Sequence, residues 1–371
     1  MATALHLVNL HSSNVGNGAL MLGTERLLRE DWGAAWNFDR IAWDNFTFGR
    51  TPWDAAFVDA ANQRDLLLIN GAVTFNGRAY LKHTGSRLDL PLPLWRDIRV
   101  PILCYGLSHR HWPGSTYHNL DALQTWLTEM EARPNFILGL RNDGTLEWLR
   151  NLTGLPLTRA IEIVDPAMFV PIANTLLPDE EPHVILALND EDSTSRFPTP
   201  EHRSAFLTDL AALLSILLEQ RNLRLKIALH YFDDFRATAD LIDKLTPVFA
   251  HQRVSTFGPV AGTDASAFYA HYPRARAVIA MRVHSMSPAL GLGCPVLTLA
   301  TQPRLENFLA DIGIPHVALS AEAVSADPVA FKSRLEALLD VPGNPVNGLD
   351  LAQLRQRVRK TNLHLKEALS L

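Results

Sequence analysis

The sequence predicts an α/β protein of two Rossmann-like domains with parallel sheets, and three observations carry that reading. Short apolar runs alternate with helix-patterned segments along nearly the whole chain, the alternation that yields parallel strands covered by helices. At 371 residues the chain exceeds the size at which one core keeps growing. After Asp165 the composition loosens into PAMFVPIANTLLPDEEP, a proline- and acid-rich stretch suited to an interdomain link. The expected division is an N-terminal domain at 1–175, a C-terminal domain at 182–345 and a closing helix at 350–371.

In chain order, the first half offers strands at 5–10, 66–70, 100–105, 136–140 and 160–164, with helices near 19–30, 120–133 and 145–151. The second half offers strands at 184–188, 225–230, 254–257, 278–281 and 296–299. Between the first two of these lies the clearest helix. Phe206, Leu207, Leu210, Leu213, Leu214, Leu217 and Leu218 recur at three- and four-residue steps, one stripe facing a sheet. The last helix sets Arg355, Arg357, Arg359, Lys360 and Lys366 against Glu367. A basic amphipathic helix of this kind can lie on an anionic membrane surface.

Bulk properties exclude several classes. A hydrophobic fraction of 47% with 20% charged residues describes an ordered globule rather than a disordered chain. A net charge of −5 gives no footprint for nucleic acid, so any positive pocket has to be local. Cys104 and Cys294 lie far apart beside apolar runs and read as buried free thiols, in keeping with a reducing compartment. The N-terminus lacks a basic leader, and no apolar stretch approaches the ~20 residues that span a bilayer. Cytoplasmic location, with peripheral contact at the inner membrane surface, is the expectation.

The chemistry concentrates between Ala277 and Ala300, AVIAMRVHSMSPALGLGCPVLTLA, which reads as strand, loop, short helix, strand. Ligands of open α/β sheets collect beyond the carboxyl ends of strands, where helix N-termini present N–H groups to anions. Arg282 supplies a permanently charged planar fork there, and His284 a group that moves a proton near neutral pH. Ser285 or Ser287 is expected to cap the helix, with Pro288 in its first turn.

Arg282-Val283-His284-Ser285, followed by Ala289, Gly291, Gly293 and Pro295, resembles the late signature of the polysaccharide pyruvyl transferase family. Further segments match in order. Asn14-Val15-Gly16-Asn17-Gly18 resembles an Asn-x-Gly-Asp loop, with Asn17 in place of Asp. LLLING, ending at Gly71, resembles a strand entering a Gly-rich turn, and VPILCYG resembles the next strand, continuing into Leu107-Ser108-His109-Arg110-His111. FILGLRNDGT resembles strand, Arg-Asp-x-x-Ser, with Arg141 kept, Asn142 for Asp and Thr145 for Ser. AIEIVDPA resembles the end of the first half, and LKIALHY a strand ending in His230. Arg304 stands where a Lys is usual.

The resemblance implies a GT-B-like arrangement with a ligand cleft between the domains, the acceptor on the N-terminal side and phosphoenolpyruvate on the C-terminal side. It implies transfer of a pyruvyl group from phosphoenolpyruvate to a sugar or lipid-linked oligosaccharide, forming a pyruvate ketal, with no metal and no resident cofactor. The lost Asp and Gly positions suggest a retained anion site and a changed acceptor pocket. The last helix is expected to cross back onto the first domain. His284, Arg282 and Arg141 become the expected catalytic residues, the two arginines gripping the trianionic donor. Asn14, Gly16, Asn17, Gly71, His109, His230, Val283 and Ser285 become expected substrate-binding residues, with His109 or His230 in a second proton-transfer role.

Competing motifs fail. Gly16 and Gly18 lack the third glycine of a dinucleotide loop, and there is no Gly-Lys-Ser/Thr phosphate loop. Asp190-Glu191-Asp192 reads as a solvated loop rather than a metal motif, and His109-Arg110-His111 lacks a third zinc ligand. Two alternatives stay open. One is a GT-B glycosyltransferase using a nucleotide sugar, although Glu306 is the only Glu between Val254 and Gly313 where a Glu-rich ribose signature would fall. The other is a non-catalytic glycan-binding relative.

Overall fold

The structure, a computed structural model, describes residues 2–77, 81–112, 114–173, 181–190, 196–340 and 348–371. Residues 174–180 of the expected link, and Glu191 and Asp192 of the acidic triplet, lie outside the described residues. Two compact units emerge. The first comprises Met1–Ser12, Leu20–Pro166 and Ala352–Leu371, the second Ser13–Ala19 and Ala167–Leu351.

The first unit contains a seven-stranded sheet. Its strands are β1 (Thr3–Val8), β2 (Asn37–Ala42), β3 (Leu66–Asn70), β4 (Val73–Asn76), β5 (Ile102–Arg110), β6 (Phe136–Arg141) and β7 (Ile161–Ile163). They run in the order β2-β1-β3-β5-β6-β7, with β4 pairing β5, and every pairing is parallel. β3 is buried at all five positions, as a central parallel strand covered on both faces requires. The order reverses direction between β1 and β3, which makes their carboxyl ends a switch point. Among its helices are α1 (Val15–Trp32), α2 (Leu120–Ala132) and α3 (Thr145–Thr153), α1 beginning within residues assigned to the second unit.

The second unit carries β8 (His183–Ala187), β9 (Arg224–Ala228), β10 (Val254–Phe257), β11 (Ala277–Ala280), β12 (Val296–Ala300) and β13 (Ala318–Ser320). Their order, β10-β9-β8-β11-β12-β13, is the 3-2-1-4-5-6 pattern of a dinucleotide-type Rossmann sheet, so the reversal lies between β8 and β11. Helix α4 (Pro200–Gln220) starts where the Thr199 hydroxyl accepts the His202 N–H and Pro200 occupies the first turn. Its buried stripe is Phe206, Leu207, Leu210, Ala211, Leu214, Leu217 and Leu218, while Leu213 is partly buried and Ile216 faces solvent. Each fully buried leucine there contributes about 1.5–3 kcal/mol relative to exposure. Two further helices matter below, α5 (Asp234–Ile242) and α6 (Val283–Gly291).

The last helix, α7 (Leu351–Ala368), groups with the first unit. Asn362 is fully buried and spends all its polar groups: Oδ1 accepts the Tyr105 hydroxyl, Nδ2 donates to Asp31 and the carbonyl accepts the Trp32 indole N–H, each at 2.7 Å. Arg355 pairs with Asp31 and Glu30, and Lys366 donates to the Trp32 carbonyl. Arg359 and Lys360 stay exposed.

Three strands escape a reading by apolar runs. β2, NFDRIA, is an edge strand interrupted by Asp39 and Arg40; β4 and β13 are only four and three residues long. Ser13–Ala19 groups with the second unit, where the Val15 N–H donates to the His230 carbonyl at 3.1 Å.

Candidate active site

In the second unit, β11 ends on the carboxyl side of the sheet beside the point where strand order reverses. Arg282 follows in extended conformation as the N-cap of α6, so the helix starts at Val283, earlier than a Ser285 or Ser287 cap would allow. Ser285 instead occupies the third helical position, where its Oγ accepts the Arg282 N–H at 3.2 Å and donates to the Arg282 carbonyl at 2.9 Å. The expected substrate-binding Ser285 is fully buried, and its hydroxyl is engaged by this cap. Pro288 sits inside the helix rather than in its first turn. Lacking an N–H, it leaves the His284 carbonyl without its helical donor, and the Tyr269 hydroxyl takes that place at 2.6 Å.

Arg282 is nearly buried, and its Nη2 donates to Asp234 Oδ1 at 2.5 Å. The other oxygen of Asp234 accepts the His230 and Tyr231 N–H groups at 2.9 and 3.0 Å. One carboxylate therefore shapes the turn after β9 and orients the arginine. Burial raises the Asp234 carboxyl above its usual range, opposed by Arg282 and the two N–H groups. Nothing in the sequence pairs Asp234 with Arg282, and it was not among the expected residues.

His230 is fully buried, its Nε2 bonded to the Tyr272 hydroxyl at 2.8 Å and its ring edge-on to Phe268. Burial, reinforced by Arg282, holds it well below the usual histidine range, so it stays neutral. The expected substrate-binding His230 is thus a buried, neutral ring held by Tyr272. His284, by contrast, is partly exposed. Its ring lies against Gly16: a Cβ on Gly16 would come 2.3 Å from His284 Nδ1. That contact explains the glycine. Asn14 caps α1 by accepting the Gly16 N–H at 3.1 Å, while its carbonyl accepts the Asn17 N–H; Asn17 is half-buried. Val283 is buried as the first residue of α6.

In the first unit, Arg141 ends β6 and is 1% exposed. Its Nε lies 3.8 Å from Asp165 and its Nη2 donates to the Gly106 carbonyl at 3.4 Å. Asn142 serves the backbone, its Oδ1 accepting the Asp165 N–H at 3.0 Å. Each expected donor-gripping arginine is thus engaged by a carboxylate of its own unit, because a buried guanidinium needs compensating acceptors. Either would meet an incoming anion only by sharing its charge. Gly71 follows β3, and a Cβ there would come 2.6 Å from the Gly106 carbonyl. Close approach of the β5 backbone is reason enough for a glycine at that position.

β5 carries a register shift between Cys104 and Leu107, with Gly106 at φ 74°. Beyond this bulge Ser108 and His109 are re-aimed. Ser108 donates to Asp143 Oδ2 at 2.6 Å, Thr145 donates to Asp143 Oδ1 at 2.5 Å, and His109 Nδ1 lies 2.8 Å from Thr145 Oγ1. Among the described residues no three His, Cys, Asp or Glu side chains are grouped to hold a metal ion. Asp190 forms a two-pronged pair with Arg203, at 2.7 and 2.9 Å.

The model of the polysaccharide pyruvyl transferase family matches residues 14–303, from the loop that meets His284 to the start of the helix after β12. The chain belongs to the polysaccharide pyruvyl transferase family. Among curated protein sequences no relative is found at a significant level. Solved structures share the fold. A co-structure of S. aureus MnaA with UDP is 12% identical, with TM-score 0.54 over 100% of this chain and 98% of that one. The UDP-GlcNAc 2-epimerase of Neisseria meningitidis bound to UDP-GlcNAc is 10% identical, with TM-score 0.51 over 98% and 99%. That of Methanocaldococcus jannaschii is 10% identical, with TM-score 0.53 over 98% and 100%. Two parallel-sheet α/β domains of GT-B type thus carry a pyruvyl transferase family sequence. Membership makes the protein a transferase of polysaccharide modification with a sugar acceptor. Among the described residues no helix is long and apolar enough to cross a membrane.

Proposed function

We propose that this pyruvyl transferase family member moves the pyruvyl carbons of phosphoenolpyruvate onto a sugar of a bacterial-type exopolysaccharide or cell-surface glycan, free or lipid-linked, closing a pyruvate ketal. The observation that carries this reading is the pairing of Arg282 with a partly exposed His284 at the N-terminus of α6, seated against Gly16 inside the family match. The helix N-terminus and Arg282 favour the donor's carboxylate and phosphate. His284 gives a proton to the methylene carbon, which becomes the methyl group. A sugar hydroxyl adds to the resulting cationic carbon, and phosphate leaves with that hydroxyl's proton. A second hydroxyl then closes the ketal and returns its proton to His284, so the histidine is regenerated. Cytoplasmic action on a glycan presented at the inner membrane surface fits this chemistry, with exposed Arg359 and Lys360 on α7 available to anionic lipid.

The test is incubation with phosphoenolpyruvate and a panel of bacterial glycans, following phosphate release and the acceptor's mass. Expected are phosphate and a pyruvylated acceptor in equal amounts. Turnover of UDP- or GDP-sugars without any use of phosphoenolpyruvate would replace this reading with a glycosyltransferase.

A further inference from the structure

Pro288 denies the His284 carbonyl the N–H that any other residue at that position of α6 would supply. The acceptor is left to a side chain 15 residues away in sequence, the fully buried Tyr269 at the end of the short helix Ala265–Tyr269. A carbonyl has no hydrogen to give, so the tyrosine hydroxyl is the donor. The backbone at His284 is therefore placed by an element outside its own helix.

That element reaches the other half of the site through His230. The Tyr269 ring meets the His230 ring at 6.0 Å and 63°, with Phe268 5.0 Å from His230 and Tyr272 5.1 Å from Tyr269. From the same segment the His230 N–H goes to Asp234, whose other oxygen holds Arg282. The His230 carbonyl holds the Val15 N–H, one residue before the glycine that faces the His284 ring. The His284 carbonyl, the wall beside its imidazole and the Arg282 guanidinium are thus all referred to one buried stretch of chain.

We propose that Tyr269 is a positioning residue, its hydroxyl fixing His284 so that the imidazole keeps its place relative to the Arg282 guanidinium, a role that rests on the proton transfer proposed for His284. Pro288 serves the same end by removing the donor with which α6 would compete. Tyr269 touches no reacting atom, yet a proton donor displaced by about 1 Å loses about 10²-fold in rate.

Tyr269→Phe keeps the ring and removes only the hydroxyl. It is expected to lower kcat at least about tenfold while the phosphoenolpyruvate KM stays within about twofold, because donor binding falls to Arg282 and the helix N-terminus. Adding Pro288→Ala to that variant returns an N–H to the His284 carbonyl and is expected to recover most of the lost kcat. Proton NMR of the His284 ring in the full chain, assigned by its loss in His284→Gln, is expected to shift in Tyr269→Phe and to move back in the double variant. A Tyr269→Phe protein with a lowered melting temperature and native kcat overturns the proposal. So does a raised phosphoenolpyruvate KM at constant kcat, an unmoved ring signal, or a folded double variant no faster than Tyr269→Phe. If the native protein leaves phosphoenolpyruvate untouched while the ring signal responds to Tyr269→Phe and recovers with Pro288→Ala, the donor reading falls and the positioning of His284 stands.

Discussion

Arg141 closes β6 in the first unit and Arg282 follows β11 in the second, and both are buried beside a carboxylate. They are held differently. Arg282 makes a direct bond to Asp234, and that carboxylate also anchors the turn after β9 through two N–H groups. Arg141 lies 3.8 Å from Asp165 and leans on a carbonyl of β5. The histidines differ in parallel: His284 is partly exposed beside Arg282, whereas His109 is tied through Thr145 to Asp143. A strand-end arginine thus does not define a site by itself. What distinguishes the second unit is a partly exposed histidine and a helix N-terminus next to the guanidinium.

The largest effect expected from that contrast is on turnover. His284→Gln should lower kcat by roughly 10²–10⁴-fold with the unfolding midpoint unchanged, and full activity would return His284 to a purely structural role. Next comes stability. Asp234→Ala removes the carboxylate beside a buried guanidinium and the acceptor of two N–H groups, and should cost about 3–5 kcal/mol in urea unfolding. Asp165→Ala should cost less, since its ion pair is looser; equal losses would erase the distinction between the two arginines.

Arg282→Lys replaces a planar fork with a point charge and should weaken phosphoenolpyruvate binding by roughly tenfold or more, read by calorimetry. Arg141→Lys should change it less. Gly16→Ala drives a methyl group into the His284 ring and should cost about 1–3 kcal/mol, with a fall in kcat that a Gly71→Ala variant, strained against β5, does not reproduce.

The smallest effect concerns pH. Burial alone would raise the Glu25 carboxyl, but bonds from Arg40 and His6 overcome this and leave it at about 2. A lowered carboxyl pKa contributes stability above the ordinary carboxylate range and loses it as pH falls through the folded value. The native protein should therefore lose stability between about pH 4.5 and pH 2, and Glu25→Gln should flatten that slope in acid-unfolding curves.

Much of the fold was legible because central parallel strands are continuous apolar runs. β3, β8, β11 and β12 announce themselves, and the stripe from Phe206 to Leu218 marks a helix on a sheet. β2 did not, because an edge strand tolerates Asp39 and Arg40. Of the candidate site, the placement of Arg282 and His284 after β11 and at the start of α6 was readable from a strand end followed by a small-residue helix. The cap bond of Ser285 and the packing of Gly71 against β5 were not legible, because a capping hydroxyl and a packing glycine have the same local sequence as ligand contacts.

The chain's own sequence determined which residues can pair into parallel strands, where each helix can start, and that an arginine and a histidine stand one residue apart after β11. Those are short-range properties, fixed by side-chain periodicity and by donors and acceptors a few residues away. Only the tertiary structure decided that Asp234 holds Arg282 across 48 residues, that Gly16 makes room for His284, and that Thr145 stands between Asp143 and His109. Such contacts depend on which strand ends the sheet order brings side by side, and no local pattern encodes that order.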